Sequence, residues 1–203
     1  FKKAGATTYG SLPGKELLDK VIVSSSDTPF ARFLKALGST ASDWVRDGHT
    51  HFSGSAGGKC PYCQQKLPAN FENEIAATFD AQYQQDIRDL GQFQTTYSRE
   101  TADIVRVLQT NTADAKPSLD LKAYQERLSL LESKFEVNRQ RIAEKVKEPS
   151  KTVSLEDTDT LLLEIGAMID DINKLIKANN DVVTAKKSSK EKCKTEIMQH
   201  LAF

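Results

Sequence analysis

Between residues 118 and 148 the seam positions fall at Leu121, Tyr124, Leu128, Leu131, Phe135, Asn138 and Ile142, steps of three and four sustained through three heptads. A period of 3.5 puts these side chains on one side of a helix and nowhere else, so the segment must pair along that side with other helices. The run is unbroken by Gly or Pro and ends at Glu148-Pro149-Ser150. A second run starts near Leu155 and continues through Leu162, Ile165, Ile169, Ile172, Ile176, Asn179 and Val183. Leu161, Met168, Leu175 and Val182 widen its stripe, and Gly166 alone interrupts it. An earlier run passes through Phe71, Ile75, Phe79, Tyr83, Ile87, Leu90, Tyr97, Thr101, Ile104 and Leu108, with a gap at Phe93 and Gln94.

These runs predict helices over about 71–112, 118–148 and 154–203, with Pro117 opening the second. The breaks between them are short, which makes neighbouring helices antiparallel. If the turns centre near 115 and 151, the third helix runs out of partners by about residue 184. There its seam positions become Lys186 and Lys190, within the charged stretch KKSSKEKCK. Asn138 and Asn179 occupy seam positions, where a buried amide costs stability and can fix register. The antiparallel arrangement does not set them opposite each other.

Residues 1–70 read differently. Pro13-Gly14 starts an expected helix through KELLDKVIV. In SSSDTPFARFLKALG, Asp27 or Thr28 caps a second, Pro29 sits in its first turn and Gly38 follows its end. A short third, SDWVRDG, runs from a Ser42 cap to Gly48. Phe30, Phe33, Leu34, Leu37, Trp44 and Val45 would give these pieces one small core, with Trp44 as its anchor. The fold class is therefore mostly α: a small helical knob with a CxxC knuckle over 1–70, followed by a long antiparallel three-helix coiled-coil bundle over 71–203.

With 28 basic and 28 acidic residues the chain has no net field to draw in nucleic acid or an acidic membrane. The lysines of 186–194 read first as a solvated helix face, and as a nucleic-acid contact they are a weak signal without interleaved aromatics. No apolar run is long enough for a bilayer span. FKKAGATTYG lacks the apolar core of a signal peptide, and the start at Phe1 reads as a piece excised from a larger protein. Cysteines in a CxxC pair, without a secretory signal, point to a reducing, cytoplasmic setting.

The stretch GHTHFSGSAGGKCPYCQQKLP holds the chemistry-bearing residues. Two thiolates two residues apart can reach one ion, and the tight turn aims backbone N–H groups at the sulfurs. Zn²⁺ takes four ligands, so Cys60 and Cys63 are half a site. Three readings stay open. His49 and His51 could complete a Cys₂His₂ site within the chain; two chains could each contribute a CxxC; or the pair could be a metal-free dithiol that oxidises to a disulfide. A thioredoxin-type role requires a cysteine at a helix N-terminus after a strand, which a glycine loop in a helical chain does not supply. GSAGGK lacks the frame of a phosphate-binding P-loop. Cys193 reads as a seam residue and His200 as an exposed one.

The segment from SSSDTPFARFLKALG through KCPYCQQKLP resembles the central region of a bacterial AAA-type P-loop ATPase family, SMC/ABC-like, that includes the anticodon nucleases of phage-defence systems. The matching residues are Leu37, Gly38, Trp44, Val45, Gly48, Cys60, Pro61, Tyr62, Cys63, Gln64 and Leu67. The resemblance covers about residues 21–90 by motif and the rest by helical character. It implies a parent protein whose ATPase head is split by this insertion, with ATP bound by Walker motifs outside these residues. The fragment would then be a non-catalytic arm whose partner is the ATPase head of the same parent chain, with self-association as a further expectation. Some relatives carry a zinc hook at the apex of a helical hairpin. Here CPYC follows a glycine loop and short helices, which favours a knuckle that stiffens the base of the bundle. The alternative function is a zinc-knuckle nucleic-acid-binding module.

Overall fold

The computed structural model describes residues 1–4, 12–113 and 120–201. The helix-opening role expected of Pro117 and the side chain of His200 lie outside what is described. Among the described residues the protein is mostly α, with six α-helices and no named strand. They are α1 (Pro29–Leu37), α2 (Ser39–Phe52), α3 (Phe71–Thr78), α4 (Ala81–Ala113), α5 (Lys122–Lys147) and α6 (Asp159–Leu201). The described residues divide into two compact units, one of 1–4, 104–113, 120–131 and 159–201, the other of 12–103 and 132–158. Residue 70, the expected boundary between knob and bundle, falls inside the second unit.

In the first unit, the end of α4, the start of α5 and the start of α6 pack through Ile104, Leu108, Leu121, Tyr124, Leu128, Leu161, Ile165 and Ile169, all buried. Buried Tyr124 donates its hydroxyl to the Leu108 carbonyl at 2.8 Å, and Arg127 pairs with Glu164 at 3.3 Å. The N-terminal residues join this unit through side-chain amides that hold their backbone. Asn111 accepts from the Lys2 N–H at 2.8 Å and donates to the Lys2 carbonyl at 2.9 Å, while the Phe1 ammonium donates to Asn173 at 2.5 Å. Beyond that contact, residues 177–199 of α6 are all exposed among the described residues. The overhang thus begins about two turns earlier than expected. Asn179, Val182 and Val183 lie on it as exposed residues, so the seam places predicted for them are not used. Cys193 is likewise exposed and takes no part in a seam.

The second unit is built on α1–α3, the start of α4 and the end of α5. The helix expected over 71–112 is in fact two, broken at Phe79 and Asp80. Asp80 caps α4 by accepting the Tyr83 N–H at 2.9 Å, and Ser25 donates to its other oxygen at 2.5 Å. Burial opposes the charge on Asp80, but these hydrogen bonds outweigh it and hold the carboxyl below its usual range. From there the α4 seam is Tyr83, Asp86, Leu90, Phe93, Tyr97 and Thr101, every one buried. The apparent gap at Phe93 came from following Ile87, which is only half-buried, in place of Asp86. Asp86 pays for its burial with a Lys20 ion pair at 2.5 Å and a Gln82 hydrogen bond at 3.0 Å.

All seven α5 seam residues, Leu121 through Ile142, are buried as the heptads predict. Asn138 is fully enclosed and fully satisfied. Its amide donates to Tyr97 Oη and to the Glu156 carbonyl, each at 3.0 Å, and its oxygen accepts the Glu156 N–H at 2.7 Å. A seam amide satisfied this way fixes which residue of α4 lies opposite it.

The short segments depart furthest from expectation. KELLDKVIV makes only a 3-10 turn, Lys15–Leu18, and then runs extended. Thr28 does cap α1, accepting the Ala31 N–H at 3.2 Å. Ser42 is not a cap: α2 begins at Ser39 after Gly38 and continues to Phe52, so Gly48, His49 and His51 are all helical. The small core anchored on Trp44 does not form either. Trp44 is 60% exposed, Phe33 56% and Leu37 62%. What α2 buries is polar, Ser42 and Asp43, because Asp43 accepts from the Ser150 hydroxyl at 2.6 Å and the Ser150 N–H at 3.3 Å.

Candidate metal knuckle and apolar basin

The CPYC turn is a preformed loop. Lys59 and Lys66 make an antiparallel bridge beneath it, Gln64 N–H returns to the Cys60 carbonyl at 2.8 Å, and Cys60 N–H donates to Gln65 at 2.8 Å. Closing so tight a turn forces Gln64 to a φ of +62°, a left-handed conformation that non-glycine residues seldom adopt. In return, the backbone N–H groups of Cys63 and Tyr62 point at the Cys60 sulfur and lower its pKa; the Cys63 thiol adds to the effect. N–H groups aimed at a sulfur stabilise the thiolate, the form that binds metal. Both cysteines are free, Cys63 exposed and Cys60 half-exposed.

The two histidines lie elsewhere on the same face. His49 Nε2 lies 2.7 Å from a Glu72 carboxylate oxygen, and His51 stands edge-on to Phe52 with ring centroids 6.3 Å apart. The structure therefore brings Cys60 and Cys63 together and does not bring His49 and His51 to them. Among the described residues, no group of three or more His, Cys, Asp or Glu side chains is placed to hold a metal ion. As a donor set for Zn²⁺ the knuckle supplies two thiolates of the four ligands required.

Beside the knuckle, α1, α2, α3 and the loop enclose an open basin of about 640 Å³. Phe33, Leu37, Trp44, Phe52 and Tyr62 line it, and all five are more than half exposed. Tyr62, within the CPYC turn, meets Trp44 with ring centroids 5.5 Å apart, so knuckle and basin share a wall. His49, His51 and Cys60 also border it.

A family model described as an AAA domain matches residues 3–203. The chain belongs to this AAA family. No curated protein and no solved structure matches it.

The AAA-domain chain also contains a polar cluster that hydrophobic patterning could not reveal. Lys145, at the end of α5, is completely buried, and its ammonium donates to the carbonyls of Lys20 at 2.5 Å, Pro149 at 2.6 Å and Lys151. Burial pushes Lys145 down to about 8, with the charges of Asp43 and Asp19 opposing. Burial also raises the Asp43 carboxyl, against the Ser150 hydrogen bonds and the Arg46 charge. Arg46 donates to Asp47 and to the Lys147 carbonyl, each at 2.8 Å, and to Tyr83 Oη at 3.2 Å. Helix α2 thus holds the α5 end with one side and the basin with the other. In sequence, Lys145 and Arg46 look like any other charges on a helix. The acceptors of Lys145 are all backbone carbonyls, and one of those of Arg46 is too; carbonyls leave no sequence signal. Among the described residues, no helix is long and apolar enough to cross a membrane.

Proposed function

We propose that this segment is the non-catalytic helical arm of an SMC-like AAA-type ATPase of phage-defence type. It relays the nucleotide state of the ATPase head of its own parent chain, which binds ATP outside these residues, or presents a partner-binding face. The observation that carries this reading is the α5 seam. Seven successive heptad positions are buried, and the one polar member, Asn138, is locked by three hydrogen bonds. A helix packed this way transmits displacement without slipping register.

The test belongs in the intact parent. Spin labels on Lys187 and on the ATPase head should report a distance that changes when a non-hydrolysable ATP analogue binds. Phe135→Asp should abolish the change while ATP still binds. A distance indifferent to nucleotide rejects the relay.

For the metal, the knuckle supports a site shared between two chains, each giving Cys60 and Cys63, over one completed by His49 and His51, because Glu72 already engages His49. Bound there, zinc would act structurally, tying two loops together. The nucleic-acid-binding alternative draws on this knuckle and on the exposed lysines of 186–194. It predicts affinity for RNA or DNA that falls steeply with added salt; an arm shows no such affinity.

A further inference from the structure

The basin beside the knuckle is the feature that the arm reading does not use. It has a floor and a rim. Leu34 and Ile75, both buried, form the floor, whereas Phe33, Trp44, Phe52 and Tyr62 stand more than half exposed around it. Its volume of about 640 Å³ lies within the ~300–1,000 Å³ of sites that enclose small organic molecules.

The shape is held without an occupant. Trp44 lies between Asp43 and Arg46 on α2. Asp43 accepts from the Ser150 hydroxyl at 2.6 Å and Arg46 donates to the Lys147 carbonyl at 2.8 Å, so α2 is fixed against the roll that would bury the indole. On the loop side, the Leu67 N–H donates to the Gly58 carbonyl at 2.8 Å, and with the Lys59–Lys66 bridge this holds Tyr62 against Trp44. A small ligand meets a wall already built, with little ordering entropy left to lose.

The polar groups of the wall identify the ligand's chemistry. Two of its residues carry a full charge, Asp47 and Lys59. Asp47 is taken by Arg46 at 2.8 Å, whereas Lys59 has no side-chain partner among the described residues. The indole N–H of Trp44 and the hydroxyl of Tyr62 are likewise unengaged there. The wall thus combines aromatic faces, one unspent positive charge and spare donors. A ring-bearing body with an anionic head matches all three. A cation, which aromatic faces also attract, is opposed by Lys59.

We infer that the basin is a binding site for an aromatic carboxylate, its rings against the aromatic wall and its head toward Lys59. This site stands apart from the arm and metal readings.

The measurement is calorimetric titration of the full 203-residue chain in chelator with naphthoate, and with neutral naphthalenemethanol and cationic naphthylmethylammonium. Naphthoate should bind most tightly, and the emission of Trp44, the single tryptophan of the chain, should change as it does. Lys59→Gln should weaken naphthoate about threefold to fivefold and leave naphthalenemethanol unchanged. Trp44→Ser should weaken both by about tenfold, with helical content unchanged by circular dichroism. Leu163→Ser, which alters a 74% exposed side chain that does not line the basin, should change neither. Absence of naphthoate binding, or binding that leaves the Trp44 emission of the native chain unaltered, overturns the site. Equal affinity for the alcohol or the ammonium overturns the anionic head. Affinity that falls as protein concentration rises means that a second copy covers the basin, and overturns the small-molecule assignment.

Discussion

Helices α5 and α2 dispose of their side chains in opposite ways. Helix α5 hides Leu131, Phe135 and Ile142 almost completely, whereas α2 hides Ser42 and Asp43 and leaves Trp44 60% exposed. The α5 arrangement is what the hydrophobic effect produces when a helix exists to be packed. The α2 arrangement needs another explanation, because turning a tryptophan outward and a carboxylate inward forfeits apolar burial and incurs desolvation. Asp43 offsets part of that cost through Ser150. The difference separates residues that hold the fold from residues that the fold holds in place for something else.

If that separation is right, the largest loss of stability comes from the α5 seam. Phe135 is buried and meets Tyr97 edge-on with centroids 6.3 Å apart. Phe135→Ala should cost about 3–5 kcal/mol in a denaturant titration. A loss similar to that of Trp44→Ala would erase the distinction between the two helices.

Lys145 sharpens the comparison at the point where α2 and α5 meet the same loop. Lys145→Met strands three carbonyls and removes the positive charge beside Asp43, which should cost about 2–4 kcal/mol near neutral pH. Its pH dependence has a definite sign. The folded value is lowered to about 8 from 10.5, so between those limits the unfolded chain holds more protons than the folded one. Stability from this group therefore rises across that window, by up to about 3 kcal/mol. Thermal melts of the native protein from pH 8 to 10.5 should show this rise relative to Lys145→Met. Parallel curves would mean that Lys145 is not held as described.

Asn138 is the smaller counterpart. Asn138→Ala removes the amide's hydrogen bonds to Tyr97 Oη and to the Glu156 N–H and carbonyl, for a loss of about 1–3 kcal/mol. The same variant should also loosen register, visible as faster amide hydrogen exchange along 97–104 of α4. Protection equal to that of the native protein would show that apolar packing alone sets the register.

How far the sequence could be read depended on the range of the interactions involved. The α5 helix was legible residue by residue because a heptad is local: each seam position is predicted from its neighbours three and four away. The start of α1 was legible for the same reason, in Thr28 and Pro29. The α4 seam was misphased at Phe93 because it runs through the charged Asp86, which an apolar template skips. Helix α2 was misread because Asp43 is buried by Ser150, 107 positions away. The knuckle was legible as a pair of cysteines, but the placement of His49 on Glu72 was not, since a loop of uncertain path separates the histidines from the cysteines in sequence.

The smallest expected effect is the one that completes the comparison. Trp44→Ser removes the largest side chain of the basin, but Trp44 is 60% exposed, and its partner Tyr62 is 72% exposed. Water already reaches most of the ring, so little apolar area returns to solvent and no buried cavity is left behind. The melting temperature of the monomer, measured in chelator and at low protein concentration, should move by no more than about 0.5 kcal/mol equivalent. A large drop would mean that the basin is part of the core and that Trp44 anchors it, as the sequence alone suggested. A negligible one leaves the indole free of any duty to the fold, which is the condition for its exposure to serve a bound ligand.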